Sequence, residues 1–255
     1  MRTRPPAVAG TFYPARPDAL RAAVDEAFAG AAPAPAAGEE GTPKALIAPH
    51  AGYVYSGPVA ASAYARVRDR HEISRVVLLG PSHRVPLRGV AVPDADGFDT
   101  PLGTVPLERA DLPVDDAPHA LEHSLEVHVP FLQAALGEFT LLAIVVGHAG
   151  ADEVAAVIDA HWGGPETLVV VSTDLSHYHD QATAGRLDRR TAAAIVRRDP
   201  VGIGEHDACG CRPLRGLLEV ARRREQDVRL LDLRNSGDTA GPRDRVVGYG
   251  AFAVG

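Results

Sequence analysis

Arg75-Val76-Val77-Leu78-Leu79-Gly80-Pro81-Ser82-His83 is the stretch that decides the fold class. Every position from Val76 to Leu79 is apolar, so the run lacks the alternation of a strand with one face in water. A short uniform run, stopped by Gly80-Pro81, predicts a strand over 75–79 that is buried on both faces. Such strands belong to mostly parallel sheets covered by helices on both sides. His83 then stands just past the strand end, where α/β proteins collect their functional side chains.

The pattern recurs outward from this point. Ala45-Leu46-Ile47-Ala48 predicts a buried strand ending at Pro49-His50, and 167–172 predicts another ending in Thr173-Asp174. Residues 139–146 predict a further strand, and 89–92 a short one. Between them, helical periodicity marks 18–28, with Leu20, Val24 and Phe28 spaced by four, and then 58–67, 151–161, 182–197 and 213–224. Residues 121–136 read as helical at their ends, and Pro130 must start, kink or divide that helix. The strands predicted at 228–233 and 246–254 have only a short Gly/Asp/Pro connection, so they are placed to pair antiparallel. The expected fold is a three-layer α/β/α sandwich around a mixed central sheet, one domain over 1–255. The Ala/Pro/Gly segment 30–43 reads as a loop, because too little chain precedes it to form a second core.

Composition narrows the function classes. With 45% of 255 residues apolar, one sizeable core can form without disulfides. A net charge of −7 and no dense basic tract argue against nucleic acid or an anionic membrane as the main partner. No run approaches the roughly 18 apolar residues of a membrane span, and residues 1–10 lack the apolar core of a signal peptide. A cytoplasmic protein is expected. Cys209 and Cys211 are the only cysteines, too close together for an unstrained mutual disulfide.

Four turn-rich segments carry the candidate chemistry. His50 lies in Pro49-His50-Ala51-Gly52-Tyr53 and His83 in Gly80-Pro81-Ser82-His83, both behind apolar strands. Either could be a loop histidine bonded to backbone, but matched placement favours two ligands of one metal. Cys209, in Asp207-Ala208-Cys209-Gly210-Cys211, precedes a predicted helix, whose exposed N–H groups favour thiolate; otherwise it is a small buried residue. Two histidines and one anionic ligand leave metal positions open. With a carboxylate as third ligand this is the facial triad of non-haem iron(II) oxygenases, whereas a thiolate shifts preference toward copper(I) or zinc. His177, in Asp174-Leu175-Ser176-His177-Tyr178, suits general acid–base work with Asp174 orienting it, or merely stabilises a turn. Within 119–131, Glu122, His123 and Glu126 would share a face if helical. They would then stand behind the metal-bound imidazoles and orient them, or form a solvent-facing stripe. No phosphate-binding glycine loop, Walker motif or nucleophile elbow is present.

Together these motifs resemble the Memo family, called AmmeMemoRadiSam system protein B in bacteria and archaea. The resemblance begins at Arg4-Pro5-Pro6-Ala7-Val8-Ala9-Gly10-Thr11-Phe12-Tyr13-Pro14 and includes the four segments above. It continues through Asp99-Thr100-Pro101-Leu102-Gly103 and Glu122-His123-Ser124-Leu125-Glu126, and ends at Val247-Gly248-Tyr249. It implies a domain similar to class III extradiol dioxygenases, which open catechol rings with non-haem iron. In that comparison His50 and His83 match the histidine ligands, and Cys209 stands where the dioxygenases carry a carboxylate. His177 matches their acid–base histidine, and Glu122, His123, Glu126 and Tyr53 are expected behind the ligands. The implied cofactor is Fe(II) or copper, with zinc possible. Implied partners are an AMMECR-type protein and a radical-SAM enzyme, with an unknown small molecule or peptide in the cleft. Two functions follow, a metal-dependent oxidoreductase and a non-catalytic binding module for a peptide, small ligand or partner protein. A zinc hydrolase is a third, with nothing in the sequence to mark its substrate. Cys211 has no place in the pattern.

Overall fold

The four uniformly apolar runs become the centre of the molecule. In the computed structural model, which describes residues 2–33 and 41–255, they are β2 (Ala45–Ala48), β3 (Arg75–Pro81), β7 (Thr140–Val146) and β8 (Thr167–Ser172). Apart from Arg75 and Thr140 at their starts, every residue in them is buried. The other strands are β1 (Thr3–Arg4), β4 (Val90–Ala91), β5 (Gly97–Thr100), β6 (Gly103–Pro106), β9 (His177–His179), β10 (Val228–Asn235) and β11 (Val246–Val254). The helices are α1 (Pro17–Ala29), α2 (Tyr53–Tyr64), α3 (Ala117–Ala120), α4 (Val129–Leu136), α5 (Ala151–Ala160), α6 (Gln181–Val196), α7 (Cys211–Arg223) and α8 (Ser236–Thr239).

An eight-stranded mixed sheet has the order β10-β11-β2-β8-β3-β7-β4, with β9 added to β11. The β2–β8, β8–β3 and β3–β7 pairs are parallel, and β11 is antiparallel to both β10 and β2. Successive side chains point to opposite faces, which splits each apolar run between two cores. Leu46, Val76, Leu78 and Val170 join Leu20, Val24, Tyr64 and Phe131 on one face. Ile47, Val77, Leu79 and Val171 join Val154, Ile158, Ile195 and Leu217 on the other. Each of these aliphatic side chains contributes about 1.5–3 kcal/mol of transfer free energy, so uniform apolarity is what a sheet covered on both faces requires. The expected helix-flanked mixed sheet is the fold found, including the antiparallel pairing of the last two strands.

A three-stranded sheet, β1-β5-β6, lies apart from the main one. It brings the N-terminal segment against residues 119–126. Arg4 is buried there, its guanidinium 4.6 Å from the centre of the Phe98 ring and hydrogen-bonded to the carbonyls of His119 and Glu122. These strands are too short, and too rich in glycine and proline, to be read from periodicity.

Two expected helices differ from those observed. The one expected at 58–67 begins at Tyr53 and carries Pro58 inside it. Pro58 cannot donate to the carbonyl of Val54, but Val54 is 68% exposed, so water can satisfy that group. The helix expected over 121–136 is broken. α3 ends at Ala120, a 3₁₀ turn spans Glu126–His128, and α4 starts at Val129 with Pro130 in its first turn. Residues 34–40 of the expected 30–43 loop lie outside the described residues.

Candidate metal centre

Three adjacent parallel strands end at one place. β2 runs into His50, β3 into His83, and β8, which lies between them, into Asp174. The crevice beyond the carboxyl ends of parallel strands is where open α/β sheets bind their ligands. The loop carrying Cys209 reaches the same point because position 210 is glycine. A Cβ there would stand 2.4 Å from the Ser172 carbonyl oxygen and 2.7 Å from Thr173 Cβ, so any side chain would force the loop away.

His50 is almost fully buried. Its backbone N–H donates to Asp174 Oδ1 at 2.7 Å, its Nδ1 lies 2.6 Å from Ser172 Oγ, and its Nε2 is 3.3 Å from Cys209 Sγ. His83 stands at the mouth with its side chain 28% exposed. Its backbone N–H and Nδ1 both engage Glu122, at 2.6 and 2.9 Å. His123 stacks on His83 with ring centres 4.7 Å apart, and Phe12 covers its other side at 4.6 Å. One ring nitrogen from each of His50, His83 and His123 lies within 4.8 Å of the other two.

His123 reaches the cleft because the chain around it is not helical. The Glu122 carboxylate folds back to accept the N–H groups of His123 and Ser124, each at 2.9 Å. Ser124 Oγ then donates to the Pro81 carbonyl, tying this turn to the end of β3. Glu126 faces away from the cleft. It is fully buried, pairs with Arg4, and accepts the N–H groups of Ala7 and Val8 and the Tyr13 hydroxyl. The expected shared face of Glu122, His123 and Glu126 is thus corrected. Glu122 orients His83, His123 joins the cluster itself, and Glu126 clamps the N-terminal segment.

Asp174 and His177 are not partners either. Asp174 is tied to His50 and to Cys209, whose Sγ accepts the Asp174 N–H at 3.3 Å. His177 Nδ1 bonds to the Leu175 carbonyl at 2.8 Å, a nearer partner supplied by its own turn. Tyr53 lies in the core, its hydroxyl donating to the Val127 carbonyl and its ring tilted against Phe131 and Tyr13. Cys211 is the first residue of α7, buried in the core on the opposite side of the sheet from α1 and α2. Sequence reasoning passed over Ser172 and His128, both fully buried and polar; a serine at the last position of an apolar strand was the only available signal for the first.

The electrostatics favour a cation. Burial, reinforced by the neighbouring His83, His123, His128 and His177, holds His50 well below its usual pKa. Burial brings His123 down to about 4 despite Glu122, and burial lowers His177 as well. His50 and His123 are therefore neutral at pH 7, the form that binds metal. For Glu122, burial opposes ionisation, but the His83 hydrogen bond and charge, with backbone N–H donors, bring its pKa down to about 2. Asp174 is pushed up to about 7 by burial, against the N–H groups it accepts. Burial and the adjacent Asp174 raise the Cys209 thiol far above its usual value. Without a cation this sulfur keeps its proton, and a coordinated metal reverses that preference.

The donor set fits a metal in two further respects. His123 Nδ1 is buried and makes no hydrogen bond, although Glu122 Oε1 lies 3.2 Å away. A tetrahedral ion bound by one imidazole and one thiolate sets N···S at roughly 3.5 Å, given bond lengths of about 2.0–2.1 and 2.3 Å. The 3.3 Å between His50 Nε2 and Cys209 Sγ is close to that.

Among the described residues, no helix is long and apolar enough to cross a membrane. A family model described as Memo-like protein matches residues 4–253. A MEMO1 family protein of Thermotoga sp. (strain RQ2) is 36% identical over 272 residues, covering 96% of this chain and 97% of the relative. One from Methanothermobacter thermautotrophicus is 36% identical, covering 96% and 98%. One from Aeropyrum pernix is 35% identical over the whole of both chains. With the match running through every strand end that builds the cleft, this chain belongs to the Memo family.

Proposed function

We propose that this protein holds a redox-active transition metal, iron(II) or copper, at the rim of β2, β8 and β3, and acts as an oxidoreductase on a small molecule bound beside it. The observation that carries the reading is the convergence of three imidazoles, one with an unpartnered buried nitrogen. His50, His83 and His123 would hold the ion, with Cys209 Sγ beside His50 Nε2 at 3.3 Å. Such an ion supplies a one-electron couple and a positive centre that polarises a coordinated group. His50 sits at the closed end and His83 at the open end, so an incoming molecule meets the His83 side first. His177, half-buried with Nδ1 engaged by Leu175, keeps Nε2 for moving a proton to or from that molecule.

Metal analysis of protein purified without an affinity tag tests this reading, with His50→Ala, His83→Ala, His123→Ala and Cys209→Ser alongside. About one iron or copper per wild-type chain, lost on histidine replacement, is the expected result. Negligible metal in all five proteins would remove the reading.

A second observation supports a binding module. A cavity of about 500 Å³ beside the His50 loop is lined by Phe12, Tyr13, Tyr53, Tyr55 and Pro58. If capture of an AMMECR-type partner persists when all three cleft histidines are replaced, binding rather than redox chemistry is the function.

A further inference from the structure

The buried face of His50 is more fully determined than its exposed face. Ser172 Oγ has three neighbours in hydrogen-bond range, the Ser124 carbonyl at 2.6 Å, His50 Nδ1 at 2.6 Å and His128 Nε2 at 2.9 Å. A carbonyl oxygen can only accept, so the single hydroxyl proton of Ser172 goes to Ser124. Both imidazole nitrogens must then donate to Ser172. Burial brings His128 down to about 3, so it is neutral and carries only the proton on Nε2. Its Nδ1 is left as an acceptor for the Tyr64 hydroxyl, 2.7 Å away. All three of Tyr64, His128 and Ser172 are fully buried.

We propose that Ser172 is a positioning residue that fixes the tautomer of His50, and that His128 and Tyr64 brace it from behind. The proton is held on His50 Nδ1, so the Nε2 lone pair is the one aimed at the cleft and at Cys209. Ser172 therefore does for His50 what Glu122 does for His83, whose Nδ1 is held in the same way. The two ligands present the same ring atom, by different means. His50 receives a neutral hydroxyl because it is buried, while the half-exposed His83 can afford a charged carboxylate. The inference rests on the metal reading for its purpose, but the tautomer is a property of the metal-free protein.

The test is ¹⁵N-histidine NMR on metal-free protein, with zinc titration calorimetry as a second measurement. The wild type should show His50 protonated on Nδ1 and His128 on Nε2. Ser172→Ala should abolish the single His50 tautomer and weaken zinc binding about 10–100-fold, the usual loss when a ligand's outer partner is removed. Ser62→Ala removes a buried hydroxyl bonded to Pro58 and Asp232, and should leave both readouts as in wild type. Tyr64→Phe leaves His128 Nδ1 without its donor but keeps the Ser172 constraint, so it should disturb the His50 tautomer less than Ser172→Ala does. A wild-type His50 carrying its proton on Nε2 overturns the proposal, even if Ser172→Ala does not fold. So does a Ser172→Ala protein with the His50 tautomer and zinc affinity unchanged. Wild-type protein that shows the stated tautomers but binds no zinc sustains this inference and counts against the metal reading alone.

Discussion

Glu122 and Glu126 are four residues apart, both buried, and both accept several hydrogen bonds, yet they belong to different kinds of site. Around Glu126 every polar group finds a partner. Arg4, two backbone N–H groups and the Tyr13 hydroxyl close on it, leaving nothing for a ligand. Glu122 also fills its oxygens, but the histidines it borders are left with free nitrogens that converge. A saturated polar cluster holds a fold together, whereas one with unused lone pairs aimed at a common point is built to receive something. The two regions are joined through one turn, so the clamp also sets where His123 stands.

The largest expected effect is on the clamp. Arg4→Ala leaves Glu126 buried without its cation and should destabilise the protein by about 3–5 kcal/mol. Urea unfolding at neutral pH measures this, and a loss below about 1 kcal/mol would show the pair is not structural. On the cleft side, Glu122→Gln should weaken metal binding about 10–100-fold while costing less stability than Arg4→Ala. If the two variants lose stability and affinity in the same proportion, the distinction between the regions fails.

The pH profile sharpens the contrast. Burial brings His119 down to about 4 and His128 to about 3, so unfolding between about pH 6.5 and those values takes up protons. Stability should fall as the pH drops below about 6.5, by up to about 1.4 kcal/mol per unit for each histidine, offset in part by Asp174, whose carboxyl, raised to about 7, acts in the opposite sense. Glu122, lowered to about 2, adds a loss of the same sign below about pH 4.5. Denaturant midpoints at pH 7, 6, 5 and 4 check this, and His128→Gln should flatten the upper part of the curve; a level wild-type profile would be incompatible with it. The smallest effect belongs to the exposed Arg16–Asp18 pair, where Arg16→Ala should change stability by less than about 0.5 kcal/mol in the same unfolding assay.

What could be read ahead of the structure follows a physical division. The central strands were legible because burial on both faces forces an unbroken apolar run. The helices α1, α5, α6 and α7 were legible because one-sided burial imposes a period. β1, β5 and β6 were not, since two to four residues cannot show a period. His50, His83 and Cys209 stood out because each follows a recognisable break in structure. His123 was misplaced because a helix was assumed across 121–125, where a carboxylate capping its own following N–H groups stops one.

The sequence alone determined the layered fold and the strand ends at which chemistry collects, because apolar patterning and turn residues are local signals. Only the tertiary structure decided which polar residues meet there. Ser172, His128 and Arg4 owe their roles to neighbours 44 to 122 positions away along the chain, and His123 to His83, 40 positions back. Hydrogen bonds across such distances leave no trace in local composition, and they exist only once the sheet has brought its strand ends together.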